Sequence, residues 1–553
     1  MTAGRHREAA RPGAALKKRR GEVFERLAAY GLARGPHRVV RASRRADDAA
    51  DLGRRLRLAL EGLGPVFSSF GLYLSTRVDL LEARDCLELA AADKRAAPMM
   101  AAAARGLFGL ELGLDPGDAF LAFDDEPFES GLLHQSHRAR LQDGEPVVVK
   151  LVRPEAVRQF LCDVDLLGLL EGALSGVLHG GPNFRAAVAD FTSTLRQQLD
   201  LAHEAKALET LARDSADFEM LRVPRVLGGL SAGGVLTVEE LAGVPVDAAE
   251  FGGGARRGLP PASDRTALAR LLCSVWLRQA LLGHAFPVEP RGANLLVVSD
   301  RQVAFTGGLF GVLHVEAQKN LFNYLLATSA ESPDRACSCL LAEVLREGRP
   351  GADEDLRHRF RQVVPFRDSG WYVDDDTNRL AEHLVVHWRS AAECGYVPRP
   401  HLPSFYRGLF AITSAAQRLS PESDPLLEGL QDTRLQESLS RVREMLNFNS
   451  LGDQADRYAA MFMGMPGRID EMLTLASEGS PRFKIRAPEA AASGRRQRNS
   501  GAAVTALLLV LAGAVMWLPR VTAAFVDQVW ADRVNAVVFV FIGAIILRAA
   551  TRG

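Results

Sequence analysis

The sequence predicts a two-lobed α+β fold with an N-terminal helical extension and a C-terminal transmembrane helical hairpin. Three observations lead there. Short alternating apolar runs fill residues 118–151, with turn signals at Asp124-Asp125-Glu126-Pro127 and Asp143-Gly144, the pattern of a small antiparallel sheet. Stretches with helical spacing of Leu, Val and Ala flank that sheet, and a small sheet followed by a helical lobe makes a two-lobed layout. At the C-terminus, Gly501–Pro519 and Val534–Leu547 carry no charged residue.

Taken in order, residues 1–45 read as a flexible basic arm whose densest run is Lys17-Lys18-Arg19-Arg20. The arm lacks the apolar core of a signal peptide. A helical extension covers 46–117, broken near Gly62-Leu63-Gly64-Pro65. Residues 118–245 make the N-lobe: the sheet, inserted helices at Arg158–Leu178 and Phe184–Ala212, and a strand at Val235–Val238. The helical C-lobe, 246–477, contains the Gly/Pro-rich insertion Phe251–Ser263, the apolar helix Thr266–Leu282 and the loop Pro287–Asn294. A Pro/Ser/Arg linker at 478–500 leads into the hairpin at 501–553.

Gly501–Pro519 spans nineteen residues, close to the roughly 20 that cross a bilayer core as a helix. Val534–Leu547 would reach only about 21 Å, so it spans with local thinning and with Arg533 and Arg548 snorkelling at its ends. Arg495, Arg496 and Arg498 precede the first span, and Arg548 and Arg552 follow the second, which places the soluble part on the cytoplasmic side of the inner membrane. Balanced charge, 67 basic against 67 acidic residues, gives no signature of a nucleic-acid partner. The six cysteines are scattered without a CxxC pair, and Cys337-Ser338-Cys339 reads as two faces of a helix.

The chemistry is carried by two short stretches. Val147-Val148-Val149-Lys150 ends an apolar strand on a lysine, and Pro287-Val288-Glu289-Pro290-Arg291-Gly292-Ala293-Asn294 precedes the strand Leu295–Val298. Kinase-type phosphoryl transfer needs a strand lysine over the phosphates, a helix glutamate to orient it, and groups that ligate metal. Lys150 fits the first role and Glu204, in His203-Glu204-Ala205, matches the second. The stretch Glu126–Arg138 that would cradle phosphates has a single glycine and the carboxylate of Glu129, which would repel them. His383 and His387 stand at i, i+4, but Leu384 occupies the place of a metalloprotease glutamate. Asp374-Asp375-Asp376 reads as a solvated loop.

The order of these segments resembles the UbiB family of atypical, protein-kinase-like quinone-biosynthesis kinases. The matching parts run from about Leu63 to Leu313. They include Leu63-Gly64-Pro65, Leu74–Leu81, Phe123–Pro127, Gln135–Ala139, Val147–Pro154 and Val223-Pro224-Arg225-Val226. The resemblance implies a kinase-like fold with a helical extension over the active site, ATP and Mg²⁺ as cofactors, and a role in ubiquinone or related prenyl-lipid pathways. Its implied partners are membrane lipids or isoprenoid intermediates and lipid-biosynthesis proteins. It also places an adenine-contacting hinge at Glu239-Glu240-Leu241.

The departures from the family are systematic. Its Lys-x-Gly-Gln signature becomes Ser69-Phe70-Gly71-Leu72, and its Glu-x-Asp becomes Gln198-Leu199-Asp200. In the family's His-Ala-Asp-Pro-His-Pro-Gly-Asn loop, Glu289 takes the place of the Asp, while Asn294 matches the Asn. Thr306-Gly307-Gly308 replaces Asp-Phe-Gly, so a hydroxyl stands where Mg²⁺ expects a carboxylate. These losses point to a pseudokinase acting as an accessory or scaffold. An active atypical ATPase or kinase using Glu289, and a structural membrane adaptor with a pocket filled by Leu132 and Leu133, are the alternatives.

Overall fold

The computed structural model describes residues 13–32, 51–168, 170, 181–246, 265–346, 351–362 and 379–432. The chain divides into two units, Met1–Phe448 and Asn449–Gly553, and every described residue belongs to the first. The hairpin at 501–553, the linker at 478–500, the insertion Phe251–Ser263 and Asp374-Asp375-Asp376 lie outside the described residues. No described helix is long and apolar enough to cross a membrane.

The first lobe is built on an antiparallel sheet: β1 (Phe120–Phe123), β2 (Glu129–Ser130), β3 (His134–Leu141) and β4 (Pro146–Val152) come first in sequence. Next come β5 (Leu221–Arg222), β6 (Val235–Glu239) and β7 (Val244–Pro245). The sheet runs β1-β3-β4-β6, with β2 paired to β3. Period-two alternation gives β4 two faces. Val147, Val149 and Leu151 face the apolar cluster of Ala104 and Phe108, which lie on helix Ala101–Leu112. Val148 and Val152 face the other way, into the cluster of Leu201 and Leu208 on helix Leu201–Asp214. Lys150 shares that second face, so the strand aims it at the helix.

The predicted helical run Phe184–Ala212 is two helices, Gly181–Gln198 and Leu201–Asp214. Asp200 breaks it by leaving helical geometry and accepting from the Ala202 N–H, the behaviour of an N-cap carboxylate. The first 45 residues, expected to be flexible, contain helix Gly13–Ala29. Its Val23 and Leu27 are buried, and Arg19 forms a bidentate pair with the buried Asp163. Basic density masked an amphipathic stripe there.

The second lobe holds β8 (Phe286–Pro287), β9 (Leu295–Ser299), β10 (Gln302–Phe305) and β11 (Phe310–Gly311). Strands β5 and β7, which the sequence pattern does not predict as strands, lie within the span 118–245 and pair with β10 and β9. Helices Arg265–Leu282 and His401–Leu419 form the lobe's centre around Trp276, Phe405 and Tyr406. The Trp276 indole N–H donates to the Pro287 carbonyl at 2.8 Å. Gly408 lets the second helix come close: a Cβ there would sit 2.6 Å from the Trp276 ring and 2.8 Å from that same carbonyl. This packing sets where the loop Pro287–Asn294 begins.

His387 lies in this lobe, 3% exposed, with Nδ1 3.1 Å from the Tyr324 hydroxyl and its ring stacked on Phe360. Burial, with His383 beside it, pulls its pKa down to about 3. Among the described residues no group of three or more His, Cys, Asp or Glu is placed to hold a metal ion. The unfolded imidazole takes up a proton below about pH 6.5, whereas the folded one stays neutral to about 3. Stability contributed by the neutral ring is therefore complete above 6.5 and is lost as pH falls through that window. At pH 5 the loss amounts to about 2 kcal/mol. Urea unfolding at pH 7 and pH 5 should show His387→Gln losing that much less between the two pH values than wild type; an unchanged difference would contradict the assignment.

Candidate nucleotide site

The Lys150 ammonium bonds both carboxylate oxygens of Glu204 at 2.9 Å, with side-chain exposures of 16% and 8%. Glu204 lies within the buried stripe Leu201, Glu204, Leu208 and Leu211 of its helix. A carboxylate at an apolar-stripe position needs a partner, and Lys150 supplies the charge. Glu204 Oε1 also accepts from the Gly308 N–H at 2.7 Å. One carboxylate thus ties the sheet, the helix and the segment 306–308 together.

That segment needs glycine. Gly307 has φ +157 and a Cβ there would lie 2.4 Å from Glu204 Oε1; Gly308 has φ +105 and its Cβ would lie 2.9 Å from Asn294 Nδ2. The Thr306 N–H donates to the Asn294 carbonyl at 3.2 Å. Lys150, Glu204, Asn294 and Thr306 are thereby gathered around one short turn.

Glu289 is placed differently from a free base. It forms an ion pair with Arg407, on helix His401–Leu419, and another with Arg291 at 3.3 Å. Arg407 is 7% exposed, and burial pulls its pKa down to about 10 against the opposing influence of Tyr73 and Asp190. At the hinge, the Glu239 N–H donates to the Arg225 carbonyl at 2.9 Å and the Glu240 N–H to Pro146 at 3.1 Å. The Glu239 carboxylate pairs with Arg222, and Leu241 is half-buried. The backbone donors of Glu239 and Glu240 are therefore committed to the protein.

The loop Glu129–His134 is pinned from two sides. Arg153 Nε donates to the Gly131 carbonyl and Nη2 to that of Ala97, both at 2.8 Å, while the Ala96 N–H donates to Ser130. Leu133 is buried in the main core and Leu132 packs against it. His134 bonds the Gln198 carbonyl at 2.6 Å, and burial beside Lys150 pulls its pKa down to about 3.

Sequence reasoning missed Arg407 and Tyr73, and it gave no role to Arg77 and Arg153, which lie in the matching stretches Leu74–Leu81 and Val147–Pro154. Arg407 had a usable signal: it stands in the run Phe405-Tyr406-Arg407-Gly408-Leu409-Phe410, and a cation in so apolar a helix calls for a buried counter-ion. As a test of fit, the donors near Thr306 are a hydroxyl, the Asn294 amide and the Glu204 carboxylate, which is already held by Lys150. That set does not suit Mg²⁺, which binds through one or two available carboxylates together with phosphate oxygens.

Residues 91–337 match the ABC1 atypical kinase-like domain. With the two lobes and the strand lysine held by its helix glutamate, this defines an atypical kinase-like protein. "Probable protein kinase UbiB" of Pseudomonas putida (strain F1) is 34% identical over 411 residues, covering 73% of this chain and 67% of that one. The protein of the same name from Xanthomonas axonopodis pv. citri (strain 306) is 29% identical over 463 residues, 80% of each chain. That of Pseudomonas entomophila (strain L48) is 33% identical over 419 residues, 73% of this chain and 68% of that one. The chain belongs to the UbiB family.

Proposed function

We propose that this chain is a membrane-anchored UbiB-family pseudokinase, an accessory or scaffold in ubiquinone or related prenyl-lipid metabolism at the cytoplasmic face of the inner membrane. Its nucleotide binding is weak or absent. The observation that carries this reading is the state of Glu289: its charge is paired with two cations, Arg407 and Arg291, which both meet Oε1. A general base must be held within reach of the proton it removes, whereas this carboxylate is oriented by its two guanidinium partners. Thr306 adds to this, since no carboxylate stands at the metal position. The uncharged segments Gly501–Pro519 and Val534–Leu547 support the anchor, and lipid or isoprenoid partners follow from the anchor and the family.

The closed Lys150–Glu204 pair favours a second reading, an active atypical ATPase or kinase, because it is the arrangement that positions a lysine for phosphates. Thermal denaturation of the purified full chain with ATP, with and without Mg²⁺, separates the two. The pseudokinase should show little stabilisation and no Mg²⁺ dependence. A large Mg²⁺-dependent stabilisation that Glu289→Gln does not affect but Lys150→Ala abolishes would overturn the loss of nucleotide binding, and steady phosphate release lost in Glu289→Gln would establish the second reading.

A further inference from the structure

Around Glu289 a set of buried and half-buried charges reaches into the helical extension. Helix Pro65–Leu74 contributes Tyr73, whose hydroxyl donates to Asp190 at 2.6 Å and accepts from Arg77 at 2.7 Å. Arg77 is bidentate to Asp79, and both are buried. The Arg407 guanidinium lies 5.4 Å from the centroid of the Tyr73 ring while it pairs with Glu289. The guanidinium groups of Arg77, Arg291 and Arg407 and the carboxylates of Asp79, Asp190 and Glu289 are thereby linked in one connected set.

We infer that Arg407 is a positioning residue that couples the helical extension to the loop Pro287–Asn294, with Glu289 as the counter-ion closing the connection. The coupling runs through Tyr73 and Arg407, outside the altered stretch Ser69–Leu72. Tyr73 is held by its hydroxyl on both sides, so its ring is a fixed platform for the guanidinium plane. A displacement of the extension moves that platform, and Arg407 can follow only by leaving Glu289. Conversely, withdrawing the Glu289 charge leaves a buried cation over the Tyr73 ring without its ion-pair partner, which loosens the extension. A guanidinium serves both contacts because it is planar and carries several donors; an ammonium offers a point charge without a stacking face.

This rests on the reading of Glu289 as a structural counter-ion, and its test does not involve nucleotide. Native-state hydrogen exchange on the full chain in detergent would compare wild type with Glu289→Gln, Arg407→Lys, Arg407→Met and the double variant Glu289→Gln/Arg407→Met. Glu289→Gln should speed exchange in helix Pro65–Leu74 about tenfold, although the substitution lies in the other lobe. Arg407→Lys should do the same despite keeping the charge, and Glu289→Gln should add nothing in the Arg407→Met background. Unchanged exchange in the extension of Glu289→Gln would overturn the coupling, as would an undiminished effect in the Arg407→Met background. If Arg407→Met does not fold, Arg407→Lys serves as the background for the same comparison. A Mg²⁺-dependent ATP effect would remove the pseudokinase reading and leave the exchange result standing; failure of the exchange result would leave the pseudokinase reading intact.

Discussion

Lys150→Ala is expected to lower folding stability by about 3 kcal/mol, a penalty independent of any nucleotide. The reason lies on the other side of the pair. Glu204 is 8% exposed, and without the ammonium it is a buried carboxylate that keeps only the Gly308 N–H. Removing one partner of a buried pair costs more than replacing both. Lys150→Met combined with Glu204→Leu should therefore lose less than the sum of the two single changes, although Gly308 then keeps an unsatisfied N–H worth about 1–3 kcal/mol. Urea unfolding monitored by tryptophan fluorescence supplies the three values. If Lys150→Ala costs under about 0.5 kcal/mol, in the range of an exposed pair, the pair is a surface contact and its survival says nothing about the fold.

This also bears on why a pseudokinase would keep its lysine. Glu204 joins β4, its own helix and the turn at 306–308, so the pair holds the two lobes in register whatever happens to phosphate chemistry. Retention of Lys150 is thus weak support for activity. The fate of Glu289 and Thr306 weighs more, because neither position serves the sheet's core.

Much of this was legible in the residues. The strand carrying Lys150 and the strands around 295–305 followed from apolar runs, although the first continues past the lysine to Val152, and Glu204 could be matched to Lys150 by its place in the chain. The Gly62–Pro65 break stands where helix Leu52–Glu61 ends and helix Pro65–Leu74 begins, as a proline at the first helical turn favours. Other features were hidden for physical reasons. Short strands such as β5 and β7 have two residues each, too few for periodicity, and exist only because β10 and β9 offer them ladder partners. The helix Gly13–Ala29 was obscured because five of its residues are Lys or Arg, and its buried stripe shows only against a neighbouring surface. The network around Arg407 joins residues far apart in sequence, Tyr73 with Asp190 and Glu289 with Arg407. Pairings at such separations leave no local pattern, apart from a charge in an apolar helix.

Thr306→Asp is the substitution with the most to gain. It would place a carboxylate beside Asn294, giving Mg²⁺ the charged oxygen that the present donors do not offer. The geometry is prepared, since the Thr306 N–H is already fixed on the Asn294 carbonyl and Gly307 and Gly308 hold the turn against Glu204 and Asn294. The expected result is a Mg²⁺-dependent stabilisation by ATP where wild type has little, about 2.7 kcal/mol when ATP stands a hundredfold above its Kd. Thr306→Asn, similar in size and uncharged, should not reproduce it. Turnover should still be absent, because Glu289 remains between Arg407 and Arg291. No Mg²⁺ effect in Thr306→Asp would move the block to the pinned loop Glu129–His134, where Arg153 and the core hold Gly131 and Leu133 in place. Phosphate release appearing together with the Mg²⁺ effect would show that Glu289 works as a base in spite of its two cations, and the missing carboxylate at 306 would then be the whole of the defect.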